Sequence, residues 1–162
     1  MKKQLLTLIL AGALLTSTGI VASAENTNIS YTVGAVYTVT IPSDVTLRDT
    51  DYTDYIKAEG ATAGSVPVLD EGKKIKVKLT GAKNGFNGTN LTVKQSDSAK
   101  ATYTLIGKDN TPVAQNGTVA EFTFDPTKGT DYYKQAIIFT APQGAGYSGT
   151  YTDVLTFTVS VE

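Results

Sequence analysis

The chain has no cysteine, no histidine and no tryptophan, a single arginine (Arg48) and a net charge of −1 over 162 residues. Without histidine or cysteine there is no Ser-His-Asp or Cys-His nucleophile system, no zinc site of the usual nitrogen and sulfur ligands, and no haem or iron–sulfur ligation. Near-neutral charge argues against nucleic acid, whose phosphates are bound by clustered cations. With no disulfides available, stability has to come from one apolar core, and a chain of this length is long enough to build it.

The N-terminus is read as a secretory signal peptide over residues 1–24. Lys2 and Lys3 supply the positive start, and Leu5 to Leu15 form the apolar stretch. Ala22, Ser23 and Ala24 give the small residues ahead of cleavage before Glu25. Residues 16–19 (TSTG) break the apolar run well short of the ~20 residues that span a bilayer. The mature chain 25–162 is therefore expected to be a secreted, cell-surface-associated single domain with no membrane span. It would carry 12 cations and 15 acids, net −3, and 23 of its 138 residues are threonine. Threonine, valine and tyrosine suit a pleated, half-buried surface.

Apolar residues recur at every second position through most of the mature chain. Ile29, Tyr31, Val33, Ala35, Tyr37, Val39 and Ile41 predict one long strand, or two bent at Gly34, ended by Pro42. The spacing predicts a polar loop over 48–64, a short strand at Val66 and Val68, and a turn at 70–72. Lys74 to Leu79 alternates lysine with aliphatic residues, a pattern that also protects a sheet edge. Strands follow at 91–94, 101–105, 119–124 and 136–140, with the most regular at 151–161. Asn116 and Gly117, between Val113 and Val119, predict a two-residue hairpin. No window after Glu25 has helical period. The expected architecture is all-β, an immunoglobulin-like antiparallel β-sandwich of about 7–9 strands.

Candidate sites are few, and no catalytic residue is assigned. Asp49, Asp51 and Asp54 could converge on Ca²⁺ from a loop, the one cofactor considered. EF-hand spacing is absent, with no glycine at the sixth position and Gly60 where the twelfth-position acid belongs. Asp70, Glu71, Asp125 and Asp131 add carboxylates of the kind glycoside hydrolysis uses, but nothing sets a pair at a catalytic separation. Serine and lysine are present without a Gly-x-Ser-x-Gly elbow. Tyr52, Tyr55, Tyr132, Tyr133 and Tyr147 fall in predicted loops. There their flat rings suit sugars or protein interfaces, or else cap the ends of the core. Sequons at Asn28, Asn87, Asn90 and Asn116 matter only in a eukaryotic secretory host. A Lys–Asn isopeptide cross-link is compatible with a cysteine-free surface domain.

Residues 37–47 (YTVTIPSDVTL) and 148–161 (SGTYTDVLTFTVSV) resemble small secreted Ig-like surface proteins of Gram-positive bacteria. The second stretch also resembles the closing strand of spore coat U and fimbrial-subunit sandwiches, with Gly149, Tyr151 and Asp153 at alternate positions. The match departs from the spore coat U pattern in having no cysteine. The resemblance implies a surface or matrix role and transfers no catalytic residue. The expected function is non-enzymatic protein–protein contact, adhesin-like, pilin-like or structural, including self-assembly. Glu25 to Val33 would add a strand to a neighbour's sheet edge. The alternative is a carbohydrate-binding module using the loop tyrosines.

Overall fold

A computed structural model describes residues 30, 31 and 33–162. The signal-peptide reading, and most of the proposed strand-adding segment, lie outside these residues. By contact the chain divides into Met1–Thr32 and Val33–Glu162, and the second unit is an antiparallel β-sandwich.

Its nine strands are β1 (Thr38–Thr40), β2 (Tyr52–Glu59), β3 (Lys74–Ala82), β4 (Phe86–Asn87), β5 (Asn90–Lys94), β6 (Lys100–Ile106), β7 (Thr118–Thr123), β8 (Lys134–Phe139) and β9 (Leu155–Val161). One sheet has six strands in the order β1-β2-β8-β6-β5-β4, and the other has three, β7-β3-β9. Two 3₁₀ turns, Lys108–Asn110 and Thr130–Tyr133, are the helical elements among the described residues. None is long and apolar enough to cross a membrane.

Alternation decides which side chains enter the core. Ile75, Val77 and Leu79 on β3 are fully buried, and the intervening lysines lie on the outer face. Ile56 and Ala58, Leu91 and Val93, Ala101, Tyr103 and Leu105, and Ile137 and Phe139 form the inner face of the larger sheet. Among the described residues no buried side-chain polar atom lacks a partner.

The structure corrects several local expectations. Residues 48–64 are not one polar loop, because β2 occupies Tyr52–Glu59. The inward row Tyr52, Asp54, Ile56 and Ala58 hides its period behind the polar Asp54. The described part of the expected N-terminal strand pairs only at β1 and through a Val36–Val68 bridge; that bridge is all that forms of the expected 66–68 strand. The lysine-striped strand β3 is the central strand of its sheet, so its lysines guard no edge. Asn116 does turn, at φ 64°, but the turn joins the two sheets. Val113 bonds Leu105 of β6, while Thr118 pairs with Lys78 of β3, so no in-sheet hairpin forms.

On the outer face, Lys74, Lys76 and Lys108 surround Glu121 of β7 at 3.4, 3.8 and 3.0 Å. The Lys108 hydrogen bond, then the charges of Lys108 and Lys74, hold the Glu121 carboxyl below its ordinary range despite partial burial. A carboxyl with a depressed folded pKa stabilises the fold above its unfolded value, and that contribution disappears as pH falls through the folded pKa. Glu121→Gln should therefore cost about 1 kcal/mol at neutral pH in urea titrations. The gap from wild type should close progressively below the ordinary glutamate pKa of 4.5.

Candidate functional site

The two sheets differ in width, and the difference creates a groove. Five strand spacings make the larger sheet about 24 Å wide, against about 10 Å for the two spacings of the smaller. The surplus inner face is covered by irregular chain. Pro42 ends β1, and the chain leaves the sheet with Ile41, Val45 and Leu47 half-buried on the core. Between this segment and residues 147–157 lies a groove of about 870 Å³, with Val93, Ala101, Tyr103 and Phe139 among its lining residues.

β9 bounds the groove and is open on one side. It pairs with β3 through Val161–Ile75, Val159–Val77 and Phe157–Leu79, so its apolar row faces the core side. Even so, Val159 and Val161 are 37% and 38% exposed, and among the described residues no strand pairs with the outer edge of β9. The other edges are blunted. β1 and β4 have three and two residues. Against β7 lies the 107–113 segment, where a side chain on Gly107 would come within 2.8 Å of the Val119 carbonyl oxygen. β9 is a long edge strand carrying an apolar row, of the kind natural sheets normally avoid.

The end of the groove is pinned by the Gly149-Tyr151-Asp153 alternation. The Asp153 carboxylate accepts from the buried Tyr103 hydroxyl at 3.1 Å and from the Asn84 backbone N–H at 3.1 Å. Burial first, then the Asp153 charge, pushes the Tyr103 phenol well above its ordinary range, so it stays a donor. Asn84 Nδ2 donates to the carbonyls of Thr92 and Thr152, and Thr152 exchanges backbone bonds with Lys94. These bonds join β5 of one sheet to the entry of β9 in the other. Tyr151 donates its hydroxyl proton to the Tyr147 carbonyl at 2.8 Å, while the Tyr147 N–H donates back at 3.3 Å. Gly149 adopts φ 138°, a backbone conformation that favours glycine, beside the end of the Gln95 side chain. The motif is a clasp between the sheets.

The predicted site residues do not gather into one site. Tyr52 and Tyr55 belong to β2 and point to opposite faces of it. Arg48 lies 5.7 Å from the Tyr52 ring centre and Lys134 4.0 Å from that of Tyr55. Tyr133 is buried, its hydroxyl bonded to both the N–H and the carbonyl of Asp125. Tyr132 packs edge-on against it at 5.0 Å, under Lys128. Tyr147 is 63% exposed at the groove mouth. Asp51 accepts from the Ala141 N–H, and Asp54, on β2 rather than in a loop, accepts from the Tyr55 N–H. Among the described residues no three carboxylates come together as a metal site would require. Sequence reasoning reads residues 45–47 as a brief extended stretch but does not place Val45 and Leu47 on a groove, and it misses Asn84.

No family model and no curated protein matches the chain. Among solved structures, a chain of the chaperone–tip adhesin complex of CFA/I fimbriae aligns with 75% of this chain at 16% identity and a TM-score of 0.47. The alignment spans 39% of that neighbour's length.

Removing the clasp carboxylate tests its structural role. Asp153→Ala strands the buried Tyr103 hydroxyl and the Asn84 N–H, and should cost about 2–3 kcal/mol in chemical denaturation. Tyr103→Phe should recover part of that loss in the double variant, because the orphaned donor is gone.

Proposed function

We propose that this chain is an exported bacterial surface protein, Ig-like and fimbrial-subunit-like in type, that acts without catalysis by protein–protein contact. Its contact site is the groove beside β9, which takes an extended segment of another chain as an added strand. The observation that carries this reading is the outer edge of β9: seven residues long, unpaired among the described residues, with Leu155 and Phe157 on the groove and Val159 and Val161 half-exposed beyond them. Strand addition supplies backbone hydrogen bonds to such an edge, and alternate side chains fill the groove. The segment proposed to add is residues 25–37 of a second copy. Ile29, Tyr31, Val33, Ala35 and Tyr37 alternate in the manner of Leu155, Phe157, Val159 and Val161. Among the described residues of this row, Tyr31 is 90% and Val33 56% exposed.

A synthetic peptide of residues 25–37 should bind the purified mature domain and protect β9 amides from hydrogen exchange. Val159→Lys puts a charge on the half-exposed row and should weaken peptide binding by about 100-fold, the cost of desolvating an unpaired ammonium. Its melting temperature should change little, since the site is at an edge. β9 amides that stay unprotected at saturating peptide would sink the reading.

A second reading has its own observation. Tyr147 is exposed yet held by the Tyr151 clasp, beside a shallow recess of about 450 Å³ lined by Gln95, Ser96 and Ser98. A fixed aromatic ring with an amide and hydroxyls around it suits stacking on a neutral sugar. On a glycan array, binding that vanishes in Tyr147→Ala and persists in Tyr55→Ala would establish it; an array without hits would remove it.

A further inference from the structure

We infer that residues 41–49 form a displaceable strap, a built-in stand-in that fills part of the β9 groove until an incoming strand takes its place. The inference rests on the strand-addition reading and adds to it a competitor carried by the chain itself.

Three observations single the segment out. It packs apolar side chains inward at Ile41, Val45 and Leu47, with Thr46 and Arg48 outward, as a strand would. Among the described residues, however, residues 42–50 make no backbone–backbone hydrogen bond to any other part of the chain. Pro42 has no N–H to give, and the Ser43 and Asp44 side chains bond only each other at 3.1 Å. The segment therefore has the side-chain pattern of a strand and none of its backbone pairing.

Both ends of the segment are fixed. Thr40 is paired with Lys57 in the larger sheet, and at the far end Asp51 accepts from the Ala141 N–H just before Tyr52 pairs with Phe139. Residues 41–50 can therefore leave the groove as a loop without unpairing β1 or β2. Strap residues 42–49 and the β9 residues Leu155 and Phe157 line the same groove, so a strand seated along this end of β9 competes with Val45 and Leu47 for the groove floor. Elements held by few buried contacts and no backbone bonds are those that open locally, below the cost of global unfolding.

Arg48, exposed in the strap, is the only arginine in the chain, so an Arg-specific protease reports on this segment at a single site. The mature domain is incubated with the protease, with and without the residue 25–37 peptide, and cleavage after Arg48 is timed by mass spectrometry. Peptide binding is measured in parallel on the wild type and on Val45→Ser/Leu47→Ser. If the strap is displaced, saturating peptide speeds cleavage by about tenfold, and loosening the strap tightens binding by a similar factor, because more of the protein is already competent. Peptide that binds without changing cleavage, or binds more weakly to the double variant, overturns the strap and leaves strand addition standing. Peptide that binds neither protein overturns both. The wild-type cleavage arm needs no substitution, so a double variant that fails to fold does not spare the inference.

Discussion

The governing constraint is the unequal width of the two sheets. A six-stranded layer cannot be covered by a three-stranded one, and the uncovered inner face has to be hidden by chain outside the sheets. Irregular chain hides apolar surface less completely than a sheet does, because its backbone groups need water or other partners. The residues on the two sides of this compromise show the difference. Ile75, Val77 and Leu79, under the full sandwich, are wholly buried, while Val45, Leu47, Val159 and Val161, at the margin, are only partly so.

Relative magnitudes explain why such a margin suits strand exchange. Half-burying Val45 and Leu47 contributes about 1 kcal/mol each. An added strand along the seven residues of β9 would gain about six to eight backbone hydrogen bonds at about 1 kcal/mol each, and would also bury apolar side chains. Against this stands the cost of ordering the incoming backbone, about 1–2 kcal/mol per residue. Backbone pairing alone therefore does not decide the outcome. The apolar row does, which is why an incoming segment needs alternation that matches the groove.

Much of this architecture is legible in the amino-acid order, and the failures have physical causes. The β3, β5, β6 and β8 cores follow directly from alternation, since each places apolar residues at every second position. β2 is concealed because Asp54 stands on the inner row and charged residues flank it; the cross-strand pairing of Tyr52–Lys57 with Lys134–Phe139 overrides that local polarity. The Asn116–Gly117 turn is visible as a turn, but the sheets its two ends enter are set by long-range pairing. For the site, the closing alternation of Gly149, Tyr151 and Asp153 is conspicuous, yet its partners Tyr103 and Asn84 lie 50 and 69 residues away from Asp153. The groove has no sequence signature, because it comes from the count of strands in each sheet.

The treatment of sheet edges bears on whether the groove is a defect or a device. A chain without cysteines has no disulfide to hold an awkward edge shut, so its edges are managed by length, cover and charge. Three of the four edges are managed in that way: β1 and β4 by being two or three residues long, and β7 by the 107–113 segment and the Lys108–Glu121 pair. Poor edge protection throughout would mark a fold that tolerates exposure generally. Protection at three edges, with β9 unpaired on its outer side among the described residues, sets that edge apart from the others. The strap is consistent with that: it shields the apolar floor without pairing with the strand, so it limits non-specific association while leaving the β9 hydrogen-bonding edge available. A sheet that had simply lost a strand would have no reason to keep Val45 and Leu47 packed over the gap.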